Sequence, residues 1–379
     1  MSSPSPRVDG RIPSLDGLRG LAATIVLLHH WLLIARPLLE GSLSWAIISQ
    51  SPVKLLTAGN EAVLVFFVLS GLVVVLPVFR PGFSWMGFLS ARIVRLYGPV
   101  IAALALSALL IVLVPRDRST MPPGSWMAET HADTVTWQAF LSQASLVPRQ
   151  YSLNNPLWSL HWELLYSILL PFATALALLV RRWALTAVIV CCVLSLIGRV
   201  FEQSELLYFP IFLMGTIMAA RMPDLLAWVE RPRARWFMPA FATASVLMLI
   251  ASWLARPIAP SGSELSHVLW ALAAPGAAGI VVVSLAWAPA IRFFSTRVLQ
   301  WLGKISFSLY LVHVPVLATL AFALGSDQWP LVGLIGIPLS FLVAWVFYQA
   351  VEARIHQAAR RVHRAVAARA HRRAGEIAP

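Results

Sequence analysis

Ten apolar stretches of helical length run along this chain, at about 14–35, 58–78, 91–114, 158–180, 183–200, 205–221, 237–255, 267–287, 304–324 and 330–351. Each is close to the roughly 20 residues a helix needs to cross the hydrocarbon core of a bilayer. In lipid every backbone polar group must be satisfied internally, which leaves helices or closed barrels, and stretches this long and apolar select helices. Only 12% of the residues are charged, about half the fraction of a soluble domain. The expected fold is therefore all-α: a polytopic integral membrane protein of about ten transmembrane helices. A polar segment, 1–13, precedes the membrane domain at 14–351, and a basic tail, 352–379, is expected to form a helix on the membrane surface. No cleavable signal peptide is evident, so the first helix is expected to act as its own insertion signal.

Ten spans place both termini on one side. With the N-terminus in the cytoplasm, 22 of the 29 Lys and Arg residues fall on that side. The positive-inside rule thus predicts N-in and C-in, in a cell inner (cytoplasmic) membrane. The net charge of +13 is spread between apolar spans, which suits topology signals and anionic lipid and argues against nucleic acid as a partner. The two cysteines, Cys191 and Cys192, are adjacent in an apolar run, a spacing that fits neither a structural disulfide nor a metal site, so no metal is expected. Arginine in preference to lysine suggests a bacterial source.

Ionisable groups inside spans are costly and mark function by default. The first span opens Leu15-Asp16-Gly17-Leu18-Arg19-Gly20 and continues to His29-His30. Arg19 and His30, eleven residues apart, return to nearly the same helix face about 16 Å further along the axis. The second span carries Phe66-Phe67-Val68-Leu69-Ser70-Gly71, where the small Ser-Gly pair is expected to allow close helix approach. Arg92 and Arg95 share a face at the start of the third span and could clamp phosphates or snorkel. In the fourth span, Trp158-Ser159-Leu160-His161-Trp162-Glu163-Leu164-Leu165-Tyr166 puts Glu163 about five residues from the external mouth. There it needs a histidine, an arginine or a hydroxyl as partner. Ser306, Tyr310 and His313 form one polar stripe on the ninth span, with His313 a candidate to face Glu163. The long segment 115–156, with Trp126, Glu129, His131, Asp133, Trp137 and Gln138, has rings beside carboxylates. That composition suits a sugar or polyol surface or an interfacial anchor.

In this order and spacing, these motifs, with Phe209-Pro210-Ile211-Phe212-Leu213-Met214-Gly215, resemble the acyltransferase type 3 family of membrane O-acyltransferases over about residues 12–352. The resemblance implies a ten-helix domain that moves an acyl group, commonly acetyl, from cytoplasmic acyl-CoA (acetyl-CoA). The acceptor would be a hydroxyl of a surface glycan, a lipid-linked sugar, or a glycoside such as a macrolide. By that resemblance His30 is the essential histidine, paired with Arg19; Arg92 and Arg95 are the Arg-x-x-Arg pair; Glu163 is the fourth-span glutamate. Many relatives carry an additional extracytoplasmic hydrolase-like domain. Without one, transfer would finish in the membrane domain or on a separate extracytoplasmic acyl-handling partner.

The expected mechanism has Arg19, Arg92 and Arg95 seating the donor phosphates and His30 taking the acceptor proton. Glu163 would support the imidazolium and Asp16 would direct Arg19. Ser70, Trp158, Tyr310 and His313 are the substrate-binding candidates. A covalent acyl-enzyme at His30 or Ser70 stays open. The alternative class is a transporter or flippase of a glycan or lipid-linked sugar, although no inverted pattern of broken helices is visible.

Overall fold

The computed structural model describes residues 12–147 and 150–377, with no β-strand among them. The expected segment 1–13 lies, but for its last two residues, outside the described residues, as does Arg149. The helices are α1 (Pro13–Leu39), α2 (Leu43–Gln50), α3 (Gly59–Val75), α4 (Trp85–Leu113), α5 (Trp126–Thr130) and α6 (Trp137–Ala144). They continue as α7 (Leu157–Leu179), α8 (Ala184–Val200), α9 (Ser204–Ala220), α10 (Met222–Val229), α11 (Pro232–Leu254) and α12 (Glu264–Ala271). The chain ends with α13 (Ala273–Ala286), α14 (Ala288–Phe294), α15 (Arg297–Leu324), α16 (Trp329–Phe347) and α17 (Ala353–Ile377). Among the described residues nine helices are long and apolar enough to cross a membrane, or ten if the bent pair α9–α10 counts as one span. The protein is a polytopic, all-α membrane protein, as the hydropathy pattern requires.

The helices form two compact units, each assembled from three pieces of chain. The first contains the start of α1 to Val26, then Leu43–Val74 and Ala173–Ser306. Glycines set its helix crossings. A Cβ on Gly17 would sit 1.9 Å from the Phe294 carbonyl oxygen, and one on Gly20 would sit 2.4 Å from the Gly303 nitrogen. The backbone of α1 therefore rests directly on the end of α14 and the start of α15. The same happens where α3 crosses α9: a Cβ on Gly71 would meet the Phe212 carbonyl oxygen at 1.9 Å, and one on Gly215 the Val68 carbonyl oxygen at 2.0 Å. Such small-residue contacts are how membrane helices approach without a hydrophobic drive between them. Thr216 Oγ1 donates to the Gly71 carbonyl across this crossing at 3.0 Å, and the Phe67 and Phe212 rings stack beside it at 4.4 Å.

The second unit contains Leu27–Ser42, Val75–Phe172 and the chain from Phe307 onward. Trp31 fixes the end of α1: its indole N–H donates to the Trp329 carbonyl at 2.9 Å, over the backbone of Gly333. Ser84 caps α4 by accepting from the Gly87 N–H. Between α16 and α17 the chain continues through a π-helical turn, Tyr348–Glu352, a feature frequent at functional sites. The buried Glu352 carboxylate accepts from Ser308 Oγ and lies 3.6 Å from His356 Nε2. The tail is helical, as expected, but one face is taken by α4. Gly87 packs on His363 and Gly98 on Ile355, so α17 runs antiparallel along the first half of α4.

Candidate active site

Two histidines from distant parts of the chain meet inside the second unit. His30 and His313 are both buried, and His313 Nε2 lies 3.1 Å from His30 Nδ1. The protons can be assigned from their partners. His313 Nδ1 is 2.8 Å from the Leu309 carbonyl oxygen, which only accepts, so Nδ1 carries the hydrogen and Nε2 a lone pair. His30 Nδ1–H then donates to that lone pair, and the lone pair of His30 falls on Nε2. A carbonyl thus orients one imidazole and that imidazole orients the next, a neutral counterpart of the carboxylate that orients histidine in a Ser-His-Asp triad. His29 meets His30 edge to face at 5.4 Å.

The segment 115–156 folds down onto this pair. Trp126, on the short helix α5 capped by Ser125, packs on the His30 ring at 5.1 Å and on His131 at 4.6 Å. Tyr97 Oη donates to the Ser145 carbonyl, and His161 Nδ1 bonds the Leu146 carbonyl at 2.6 Å. Buried Leu146 is held at φ 57°, a left-handed conformation that costs an L-residue roughly 1–2 kcal/mol. Asn154 Nδ2 donates to the Leu311 carbonyl of α15 at 2.9 Å. Pro315 explains this bond, because it lacks the N–H that would otherwise take the carbonyl four residues earlier. Tyr310 Oη lies 2.6 Å from Ser159 Oγ and donates to the Pro156 carbonyl.

These bonds place the start of α7 level with the middle of α15. The carbonyl that Pro315 leaves free in α15 thus anchors the segment just before α7. The partners of Glu163 are among those its burial demanded. Arg92 Nη2 bonds its carboxylate at 2.8 Å, and Arg92 Nε donates to Ser167 Oγ, one turn below Glu163. His313 faces His30 rather than Glu163. Arg95 is exposed one turn along α4 from Arg92, and Trp158 is half-buried in the first turn of α7. Asp16, Arg19 and Ser70 belong to the first unit, where Ser70 is buried and Asp16 and Arg19 are half-buried. Ser306 bonds the Gly303 carbonyl of its own helix.

Sequence reading passed over Arg116, Asn154, Ser308 and Glu352. Only Asn154 had a signal, and a distant one: Pro315, which frees the Leu311 carbonyl. No cluster of three or more His, Cys, Asp or Glu with metal-binding geometry occurs among the described residues. An apolar cavity of about 350 Å³ in the first unit, lined by Ala242, Ile280, Trp287 and Phe293 among others, contains no titratable side chain.

The chain matches the acyltransferase domain family over residues 12–349 and belongs to that family; it is an O-acyltransferase. It is also 25% identical to the O-acetyltransferase PaAT-1 of Phomopsis amygdali, with 88% of this chain and 79% of the relative covered. No solved structure matches.

Proposed function

We propose that the protein transfers an acyl group, acetyl in the simplest case, from acyl-CoA to a hydroxyl of a glycan, a lipid-linked sugar or a small glycoside, with His30 as general base. The observation that carries this reading is the His30–His313 bond, because it leaves the basic lone pair on His30 Nε2. The acceptor O–H gives its proton to that nitrogen as its oxygen attacks the thioester carbonyl. The C–S bond then breaks, and the departing thiolate takes the proton back from His30. Family membership favours this chemistry over transport.

Arg95, exposed in α4, is an arginine suited to the donor's phosphates; Arg19, half-buried in the first unit, is a separate candidate. Arg92 has two donors engaged by Glu163 and Ser167, so its part is to hold α4 to α7 and present Arg95. The distribution of Lys and Arg supports N-in and C-in insertion in an inner membrane, with the donor on the cytoplasmic side.

The test is acetyl transfer from labelled acetyl-CoA by membranes containing the full chain. His30→Ala is expected to lower turnover by about 10²–10⁴-fold, the usual contribution of a positioned base, with normal membrane insertion. Turnover within a few fold of the parent would overturn the base assignment.

A further inference from the structure

The histidine pair leaves unused two buried side chains of the 115–156 segment. Arg116 is 6% exposed and His131 2% exposed. They flank one ring, with the Arg116 guanidinium carbon 5.3 Å and the His131 centroid 6.1 Å from the centre of Phe322. Arg116 Nη2 donates a long bond of 3.4 Å to Thr319 Oγ1, while Arg116 Nε has no hydrogen-bond partner. Asp133 acts on Arg116 through space, but its carboxylate is bound by the N–H and Nε of Arg118, both at 3.0 Å.

His131 has the opposite need. Its Nδ1 lies 3.3 Å from Thr130 Oγ1, whose own hydrogen is given to the Trp126 carbonyl. Nδ1 is therefore the protonated nitrogen, and Nε2 presents a lone pair that also has no partner. Burial and the nearby arginine push the His131 pKa down to about 3, so the ring is neutral in use; Arg116, lowered only to about 10 by burial, remains charged. An unpartnered buried donor or acceptor costs about 1–3 kcal/mol. Here one of each lies beside the same ring, and Trp126 packs on both His131 and His30.

We propose that Arg116 and His131 recognise a second hydroxyl of the acceptor, adjacent to the one that approaches His30, so that the acceptor is a vicinal polyol. The hydroxyl oxygen accepts from Arg116 Nε–H, and its hydrogen goes to His131 Nε2. A carboxylate would satisfy the arginine but bring His131 no proton, and a single alcohol at His30 would leave both atoms bare. One hydroxyl answers both. The proposal rests on the reading of His30 as the group that meets the acceptor.

The test uses the full chain in lipid nanodiscs and two probes differing by one hydroxyl, trans-1,2-cyclohexanediol and cyclohexanol, titrated by ligand-observed NMR. The diol is expected to bind about ten-fold more tightly, as a bond to a charged group predicts. That preference should fall to about one in Arg116→Met. It should also fall in His131→Asn, which keeps a donor near the Nδ1 position and removes the Nε2 lone pair. Should Arg116→Met not fold, His131→Asn decides alone. Equal binding of both probes to the parent protein, or a preference surviving in His131→Asn, overturns the proposal. His30→Ala separates the two ideas: it should keep the diol preference and lose acetyl transfer. Transfer that survives His30→Ala sinks the base assignment, while the diol preference still decides the subsite.

Discussion

The two units solve the problem of packing in a membrane in different ways. In the first, the motif glycines bring backbones into contact: Gly17 on Phe294, Gly20 on Gly303, Gly71 on Phe212. In the second, glycines meet side chains, Gly98 on Ile355 and Gly333 on Trp31, and polar side chains join helices as well: Arg92 to Glu163 and Ser167, Asn154 to Leu311, Ser308 to Glu352, His30 to His313. A single helix, α1, contributes to both, its glycines in the first unit and its histidine in the second. The signature at its start is thus two signatures, one for helix crossing and one for the buried histidine pair. The candidate histidine pair lies among the directional bonds of the second unit.

The largest effect should come from the glycines. Gly71→Leu places side-chain atoms where a carbonyl already sits and should cost more than about 3 kcal/mol, so that little folded protein is recovered by size-exclusion chromatography. A well-folded Gly71→Leu protein would erase the distinction between the units. His313→Ala should leave a folded protein but remove the acceptor that orients His30. We expect turnover to fall by about a hundred-fold at saturating donor, with little change in donor KM. An equal loss in stability and rate would make His313 a packing residue instead.

A smaller change is expected of Glu163→Gln. It leaves Arg92, with 20% of its side chain exposed, without its carboxylate, at a cost of about 1–3 kcal/mol. The thermal midpoint should drop by a few degrees, and pairing it with Arg92→Met should restore part of the loss. The smallest effect is that of pH. The folded state holds the His131 pKa at about 3, below the roughly 6.5 of an unfolded histidine. The unfolded chain therefore binds the extra proton first. The stability this group contributes is complete above about pH 6.5 and is lost as pH falls from there toward 3, by at most about 1.4 kcal/mol per unit. His131→Asn should flatten the decline in thermal midpoint between pH 7 and 5; a parallel decline in both proteins would assign it to other groups.

Much of the fold is legible in hydropathy, because each span must be long and apolar. The helix starts are less so. The span expected from 91 begins at Trp85, and that expected from 304 begins at Arg297. Arg297 and Gln300 fall in the part of the second of these helices that precedes 304, and apolarity marks only the part of a helix that lipid or core surrounds. At the site, His30, Glu163 and His313 stand out because charge and imidazole are costly among apolar residues. Their partners do not. Arg92 and Glu163 are 71 residues apart, His30 and His313 283, and no local pattern says which buried group finds which. Arg116 looks like an ordinary charge at a helix border until the segment is seen to fold over it.

The antiparallel pairing of α17 with the first half of α4 bears on biosynthesis. Gly98 and its neighbour Ile355 are separated by 257 residues of sequence. At about 5–20 residues per second of synthesis, α4 waits roughly ten seconds to a minute for the helix that covers it. During that interval the surface around Gly87 and Gly98 is bare, and the second unit cannot close. A chaperone or quality-control factor reading that surface would distinguish a chain interrupted before residue 353 from a finished one, whatever the state of the spans between.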